Sequence, residues 1–238
     1  MIRLDDLQIL DYKIYQDSDL YNFSTDAVLL ANFSEFGYKD KVVDLCSGVG
    51  VVGILAAIKN FYKKMYLVEI QPSLANLAQK SVEYNKLENV EVICDDVKNL
   101  RNYFSGGEID VVLCNPPYFR CDGKKMSENE HLNICNFEVK ICLEDIIATS
   151  ENLLKFGGKL YMINDIDRLE ETICLLNKHK FRVKILQIVN PKKDKNANVF
   201  LVKAVKNAKS GIKVLPNLIL NDDDGNFLVK VKKGKYER

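Results

Sequence analysis

Asp44-Leu45-Cys46-Ser47-Gly48-Val49-Gly50-Val51-Val52-Gly53 is the stretch that decides the fold of this 238-residue chain. The apolar run Lys41–Cys46 reads as a strand, and the glycines spaced Gly-x-Gly-x-x-Gly read as a tight turn. A helix through Ile54–Lys59 follows. Such a turn lets the backbone approach a ligand closely and presents free N–H groups to its polar end. The spacing alone also suits dinucleotides, so the residues around it have to discriminate.

Working outward, short β runs alternate with amphipathic helices. Met65–Ile70 is a second strand, and Pro72 and Ser73 can start the helix after it. Val90–Cys94 is a third strand, and Ile109–Cys114 a fourth, nearly all apolar as a strand covered on both faces should be. A long helix is expected over Glu138–Phe156, ended by Gly157-Gly158 before the strand Lys159–Ile163. Asp167–His179 reads as a helix, and Arg182–Val189 and Val199–Val205 as the last strands. This alternation implies an α/β fold, a doubly wound, mostly parallel seven-stranded sheet of the Rossmann-like kind. One domain is expected, with a cap over residues 1–40, a core over 41–205 and a basic tail over 206–238. The cap reads as a strand-like Gln8–Tyr15 and a helix from Thr25 to Phe33, with Ser24, Thr25 or Asp26 as its N-cap. The tail reads as a hairpin around Asn221-Asp222-Asp223-Asp224-Gly225-Asn226.

Ligands of such sheets bind outside the carboxyl ends of the strands. Asp44 lies four residues before the first glycine, where a pyrophosphate would be repelled but an ammonium welcomed. Glu69 ends the second strand, where a carboxylate can accept both ribose hydroxyls. Asp95 and Asp96 end the third, where one, Asp96 by preference, can accept from an adenine amino group. Three acids at three successive strand ends favour S-adenosylmethionine (AdoMet) over NAD. Cys46, Ser47, Gly48 and Gly50 of the turn, with Ile70 beside Glu69, complete the expected cofactor wall.

Asn115-Pro116-Pro117-Tyr118 follows the fourth strand. Two prolines fix φ twice and remove two N–H donors, so the loop is stiff and its carbonyls are free. The Asn115 side-chain carbonyl, shared with the cofactor wall, and the Pro116 main-chain carbonyl can accept both hydrogens of a planar NH₂. That aims the nitrogen lone pair at a sulfonium methyl, while Tyr118 can stack on the flat group carrying the amine. Proximity and orientation suffice, because a sulfonium is already a good leaving group. Carbon-5 cytosine methylation would need a cysteine nucleophile, usually just after proline, and the chain has no Pro-Cys pair.

Composition bounds the setting. Apolar runs are broken by charges within about 12 residues, too short to span a membrane, and the first residues lack a signal-peptide core. Seven cysteines without a CxxC pair, Cys114 and Cys174 among them, fit a reducing cytoplasm better than disulfides or zinc. Lys178 to Arg238 hold 16 basic and 5 acidic residues, whereas the preceding 177 hold 18 and 28. Such a split suits one face that attracts a polyanion.

These residues resemble class I AdoMet-dependent methyltransferases, in particular the tRNA(Val)-type adenine-N6-methyltransferase family of the NPPY branch. The resemblance rests on Phe23-Ser24-Thr25-Asp26-Ala27-Val28-Leu29-Leu30, Asn115–Phe119 and Leu143-Glu144-Asp145. It extends to Pro191-Lys192-Lys193-Asp194-Lys195-Asn196-Ala197-Asn198, and to Leu215-Pro216 followed by Asp224-Gly225. It implies Thr25 and Asp26 at the cofactor, and N6-methylation of the adenine beside a tRNA anticodon, with Lys192, Lys193 and Lys195 on RNA phosphates. No metal and no membrane partner are expected, and the sequence leaves the oligomeric state open, with a monomer slightly favoured. The chain departs at Cys135-Asn136-Phe137-Glu138, where relatives commonly carry Ala-Arg-His-Glu, and at Asn226-Phe227, where they carry Tyr-Thr. The polar segment between Arg120 and Asn133 is expected to be a mobile loop.

The same loop would serve glutamine-N5 methylation of a release factor, although that family usually carries a larger helical N-terminal domain. Adenine methylation of ribosomal RNA or DNA shares the chemistry, with no separate target-recognition domain visible for DNA. A non-catalytic RNA-binding protein derived from a methyltransferase is the reading from a different class.

Overall fold

A computed structural model describes residues 1–7, 9, 11–20, 24–121, 126–222, 224–226 and 228. The chain opens with an antiparallel pair, β1 (Ile2–Asp6) and β2 (Lys13–Asp17), rather than one strand; Gln8 and Leu10 lie outside the described residues. Helix α1 (Thr25–Phe33) follows with the expected bounds, its N-cap being Ser24, whose Oγ accepts from the Asp26 N–H at 3.3 Å. Phe23 is outside the described residues.

The core then runs β3 (Lys41–Leu45), α2 (Val51–Lys59), β4 (Lys64–Glu69), α3 (Pro72–Tyr84), β5 (Val90–Cys94) and β6 (Ile109–Cys114). Next come α4 (Glu130–Asn136), α5 (Leu143–Leu153), β7 (Leu154–Asp165), α6 (Leu169–Lys178), β8 (Phe181–Asn190) and β9 (Val199–Lys206). Two-residue strands β10 (Lys213–Val214) and β11 (Leu218–Ile219) complete it. The seven long strands form the order β8-β9-β7-β6-β3-β4-β5, and β10 and β11 both run parallel to β8 at the outer edge, making nine. Pairing is parallel from β7 to β5 and antiparallel where β9 enters between β7 and β8.

Helices α1 to α3 cover one face and α5 and α6 the other, burying two apolar clusters on either side of the sheet. Alternation along β3 assigns the faces: Val42 packs with the first cluster, Val43 and Leu45 with the second. The β1–β2 pair docks on α3, where Ser81 Oγ accepts from the Tyr15 N–H at 2.9 Å. The cap therefore shares the first core, which includes Leu7, Ile9 and Ile14.

Further expected elements differ. The helix expected over Glu138–Phe156 begins only at Leu143, because Phe137 and Glu138 pair with the acceptor loop instead: the Glu138 N–H donates to Phe119 O at 2.8 Å. Gly157-Gly158 do not end that helix; β7 has already begun at Leu154, and the glycines lie in a bulge against β6. The helix expected over Asp167–His179 starts as a 3₁₀ turn, Ile166–Arg168, before α6. The polar Arg120–Asn133 segment contains the start of α4, capped by Asn129, whose Oδ1 accepts from His131 N–H at 3.0 Å; residues 122–125 lie outside the described residues.

The tail turn closes as expected, with Asp222 N–H on Asn226 O at 3.0 Å and Leu228 N–H on Leu220 O at 2.7 Å. Asp223, Phe227 and residues 229–238 of the basic tail lie outside the described residues. Among those described, no helix is long and apolar enough to cross a membrane.

Candidate active site

The glycine turn leaves β3 through three left-handed residues, Cys46 (φ 56°), Gly48 (φ 57°) and Gly50 (φ 87°). Cys46 is the one with a side chain to strain. Gly53 has to be glycine for a different reason: a Cβ there would lie 2.2 Å from Leu67 Cδ2, so α2 packs against the sheet by backbone. That approach brings the Gly53 N–H to Asp44 Oδ2 at 2.9 Å.

Asp44 therefore lies beneath the turn, and its Oδ1 finds no hydrogen-bond partner among the described residues. Burial pushes its carboxyl up to about 8, opposed by the Gly53 N–H. Asp44 is off the wall of the neighbouring cavity and braces the start of α2.

Glu69, at the end of β4, does reach the cavity. Its Oε2 accepts from Gly48 N–H at 2.8 Å and its Oε1 from Gln71 N–H at 2.9 Å, so one carboxylate ties the turn to the start of α3. Burial raises its pKa against the pull of those N–H groups. Of the acids after β5, Asp96 lines the cavity, and it also accepts from Lys98 N–H at 2.9 Å. Asp95 does not: its carboxylate is taken by Asn99, Tyr103 and the Asp96 N–H, and the first two hold its pKa below the usual range.

The cavity, about 360 Å³, joins both motifs. Asp26, Cys46, Ser47, Gly48, Ile70 and the whole Asn115–Tyr118 loop line it, whereas Thr25 and Gly50, like Asp44 and Asp95, stand off it. Its wall fits an AdoMet-like group on two observations. Ser47 Oγ is buried with no partner among the described residues, and a Cβ built on Gly48 would meet no atom within 4 Å. A lone polar atom and an open turn are what an incoming ligand's polar end would use. Val68, Val97 and Ile141 supply an apolar part of the wall. No group of three or more metal-ligating side chains occurs among the described residues.

The acceptor loop is held from several sides. Tyr118 Oη lies 2.9 Å from both Asp26 Oδ2 and Asn115 Oδ1. Buried Arg168, from the turn before α6, donates to Tyr118 O at 3.0 Å, to Glu138 Oε1 at 2.9 Å and to Glu171 Oε2 at 2.6 Å. Phe119 bridges to Phe137, their ring centroids 5.6 Å apart, and its N–H donates to Asn136 O at 2.9 Å. The departure at Asn136-Phe137 thus buttresses the loop. Sequence reasoning missed Arg168 and Gln71. Gln71 binds His131 Nδ1 at 2.7 Å and Cys135 Sγ at 3.2 Å, drawing α4 over the cavity. Neither carries a sequence signal, since the Arg168–Tyr118 and Gln71–His131 contacts span 50 and 60 residues.

Lys192, Lys193 and Lys195 sit in the β8–β9 connection. The register of β9 on β7 pairs Val199 with Asp165, which puts this connection at the edge where the parallel strands end. Asn190 Nδ2 donates to Lys195 O at 2.7 Å, and the tail's Asn221 N–H donates to Pro191 O at 3.1 Å. The three lysines do not line the cavity.

Residues 23–187 match the family model described as the methyltransferase small domain. A Dyadobacter fermentans protein named tRNA1(Val) (adenine(37)-N6)-methyltransferase is 24% identical over 156 residues, 66% of this chain. The match spans only 63% of that relative's length. A Methanocaldococcus jannaschii protein named putative protein N5-glutamine methyltransferase is 29% identical over 188 residues, covering 75% of this chain and 89% of its own. Among solved structures, a predicted O-methyltransferase from Agrobacterium tumefaciens superposes with TM-score 0.68 at 22% identity, over 85% of this chain and 91% of its own. A tRNA m1G37 methyltransferase from M. jannaschii gives 0.60 at 19% identity, over 87% and 57%. These two establish a common fold.

Proposed function

The chain belongs to the methyltransferase small domain family, and we propose that it is an AdoMet-dependent methyltransferase that methylates the N6 amino group of an adenine in tRNA. The observation that carries the reading is the single cavity shared by the glycine turn, Glu69 and the Asn115–Tyr118 loop. Bound AdoMet supplies an activated methyl on a good leaving group. Ser47 Oγ, without a partner among the described residues, holds its amino-acid end, Glu69 its ribose and Asp96 its adenine. Asn115 Oδ1 and Pro116 O accept the two amine hydrogens and so point the nitrogen lone pair at the methyl. An aryl amine that has gained a methyl is acidic enough to lose its proton to water. Among relatives, the name tRNA1(Val) (adenine(37)-N6)-methyltransferase supports adenine 37 as the target, a base that can be splayed from its loop at modest unstacking cost.

The test is transfer of labelled methyl from AdoMet to unmodified bulk tRNA, followed by nucleoside analysis. N6-methyladenosine is expected. Labelled glutamine in a release factor, with none in tRNA, would favour the second reading, which the archaeal relative supports through the name it carries. The lysine connection gives an independent check. Replacing Lys192, Lys193 and Lys195 together by alanine is expected to weaken tRNA binding and lower the salt slope of log affinity by about 2, as for three lost contacts to single-stranded phosphates. A slope equal to that of wild type removes the connection from the RNA surface.

A further inference from the structure

Asn115 and Pro116 each precede a proline, which biases them to extended backbone, and the rings of Pro116 and Pro117 fix φ. The acceptor loop is therefore stiff on its own as far as Pro117. Tyr118 is the first residue whose backbone the sequence leaves free to turn. At its carbonyl the structure sets a guanidinium, Arg168 Nη1 donating to Tyr118 O at 3.0 Å. The same group donates from Nη2 to Glu138 Oε1 at 2.9 Å and from Nε to Glu171 Oε2 at 2.6 Å. Glu138 Oε1 also accepts from the Leu143 N–H at 2.8 Å, and Glu171 Oε1 lies 2.8 Å from Arg120 Nη2. One planar fork thus grips the chain on both sides of Phe119, at Tyr118 directly and at Arg120 through Glu171.

We infer that Arg168 is a positioning residue for methyl transfer, its guanidinium fixing the acceptor-loop backbone at Tyr118, where the rigidity of the two prolines ends. The inference rests on the role proposed for Asn115–Tyr118 as the loop that holds the acceptor amine. Arg168 does not line the cavity, so it acts only through that loop. It is rooted in the sheet. Thr172 Oγ1 donates to Arg168 O at 2.7 Å, and the Ile166 N–H, in the same turn, donates to Asn198 O at 2.9 Å.

The fork matters here more than the charge. A lysine at 168 keeps the charge, but a point donor on a flexible stem cannot reproduce the planar set to Tyr118 O, Glu138 and Glu171. A glutamine at 138 loses the charge, yet keeps an oxygen able to accept from both Arg168 and the Leu143 N–H. Glu171 still faces the guanidinium in that variant. The two substitutions therefore separate geometry from charge.

The experiment compares Arg168→Lys and Glu138→Gln in the full chain. Turnover at saturating AdoMet is measured on whichever of unmodified tRNA and release factor the wild type labels, and AdoMet affinity by calorimetry. Arg168→Lys is expected to lose roughly 10²-fold in kcat at wild-type AdoMet affinity, since misplacing a reacting group by about 1 Å costs that much. Glu138→Gln is expected to lose less than about 10-fold, because the acceptor oxygen stays. A buried ion pair that only holds the fold together predicts the opposite order, since charge is what it needs. That order overturns the inference, as does an Arg168→Lys loss confined to AdoMet affinity with kcat intact.

Should Arg168→Lys not fold, Glu138→Gln decides, and a loss of roughly 10²-fold there counts for the charge and against the fork. Asn115→Ala separates the two levels. Wild-type turnover in that variant sinks the acceptor reading and the inference with it. An inactive Asn115→Ala beside a fully active Arg168→Lys sinks the inference alone. A wild type that labels neither substrate loses the acceptor reading, and the inference falls too.

Discussion

Asn115→Ala is expected to lower methyl transfer by roughly 10²-fold or more while AdoMet affinity stays at its wild-type value, because misplacing a reacting group by about 1 Å costs that much. Asn115 follows a strand whose last four residues, Val111 to Cys114, are fully buried, so its backbone stays where the sheet puts it. Pro116 and Pro117 keep the loop's path, and Arg168 still holds the Tyr118 carbonyl. The substitution therefore deletes one amide from a rigid frame. On the proposed reading, what it removes is the acceptor for one amine hydrogen, leaving the nitrogen free to rotate its lone pair away. Single-turnover transfer to tRNA, read beside calorimetric AdoMet binding, separates these effects. Normal turnover would rule out the assignment, and a parallel loss of cofactor affinity would reassign Asn115 to the cofactor.

Glu69→Ala should instead weaken AdoMet about 10- to 100-fold, since a hydrogen bond to a charged group contributes about 1.5–3 kcal/mol. The carboxylate has two tasks at once. It faces the cavity, and it holds Gly48 N–H and Gln71 N–H on its two oxygens. Glu69→Gln is the sharper variant. Its NH₂ must meet one of those two backbone donors, so the amide cannot reproduce the arrangement, and affinity is expected to fall nearly as far as in the alanine variant. Calorimetry on both proteins checks this. A glutamine variant that binds AdoMet like wild type would mean the charge and its bracing are dispensable.

The failures of sequence reasoning have a common cause. Glu138–Phe156 has a helical pattern, yet Glu138 belongs to the acceptor loop, because its N–H pairs with Phe119 O and its side chain with Arg168. Local preference cannot register a partner 30 residues further along the chain. Asp44 and Glu69 look alike in sequence, each an acid on a strand. Alternation along the strand and the close approach of Gly53 put one under the turn, whereas the other reaches the cavity. Asp95 and Asp96 are separated in the same way, by which of them Asn99 and Tyr103 engage.

What the amino-acid sequence determined by itself was the periodic and the punctuated: apolar strands, a glycine turn, a doubled proline, and the order in which they come. Those follow from short-range sterics and burial, which neighbouring residues dictate. From them came the parallel sheet, the edge at which ligands bind, and Asn115 and Glu69 as the residues to test. Only the tertiary structure decided which acids face the cavity, that α4 covers it, and that Asp26, Tyr118 and Arg168 converge on one loop. Those outcomes depend on distances between segments that the chain brings together only after it has folded. A hydrogen bond of 2.9 Å between residues 92 positions apart leaves no trace in either residue's neighbours.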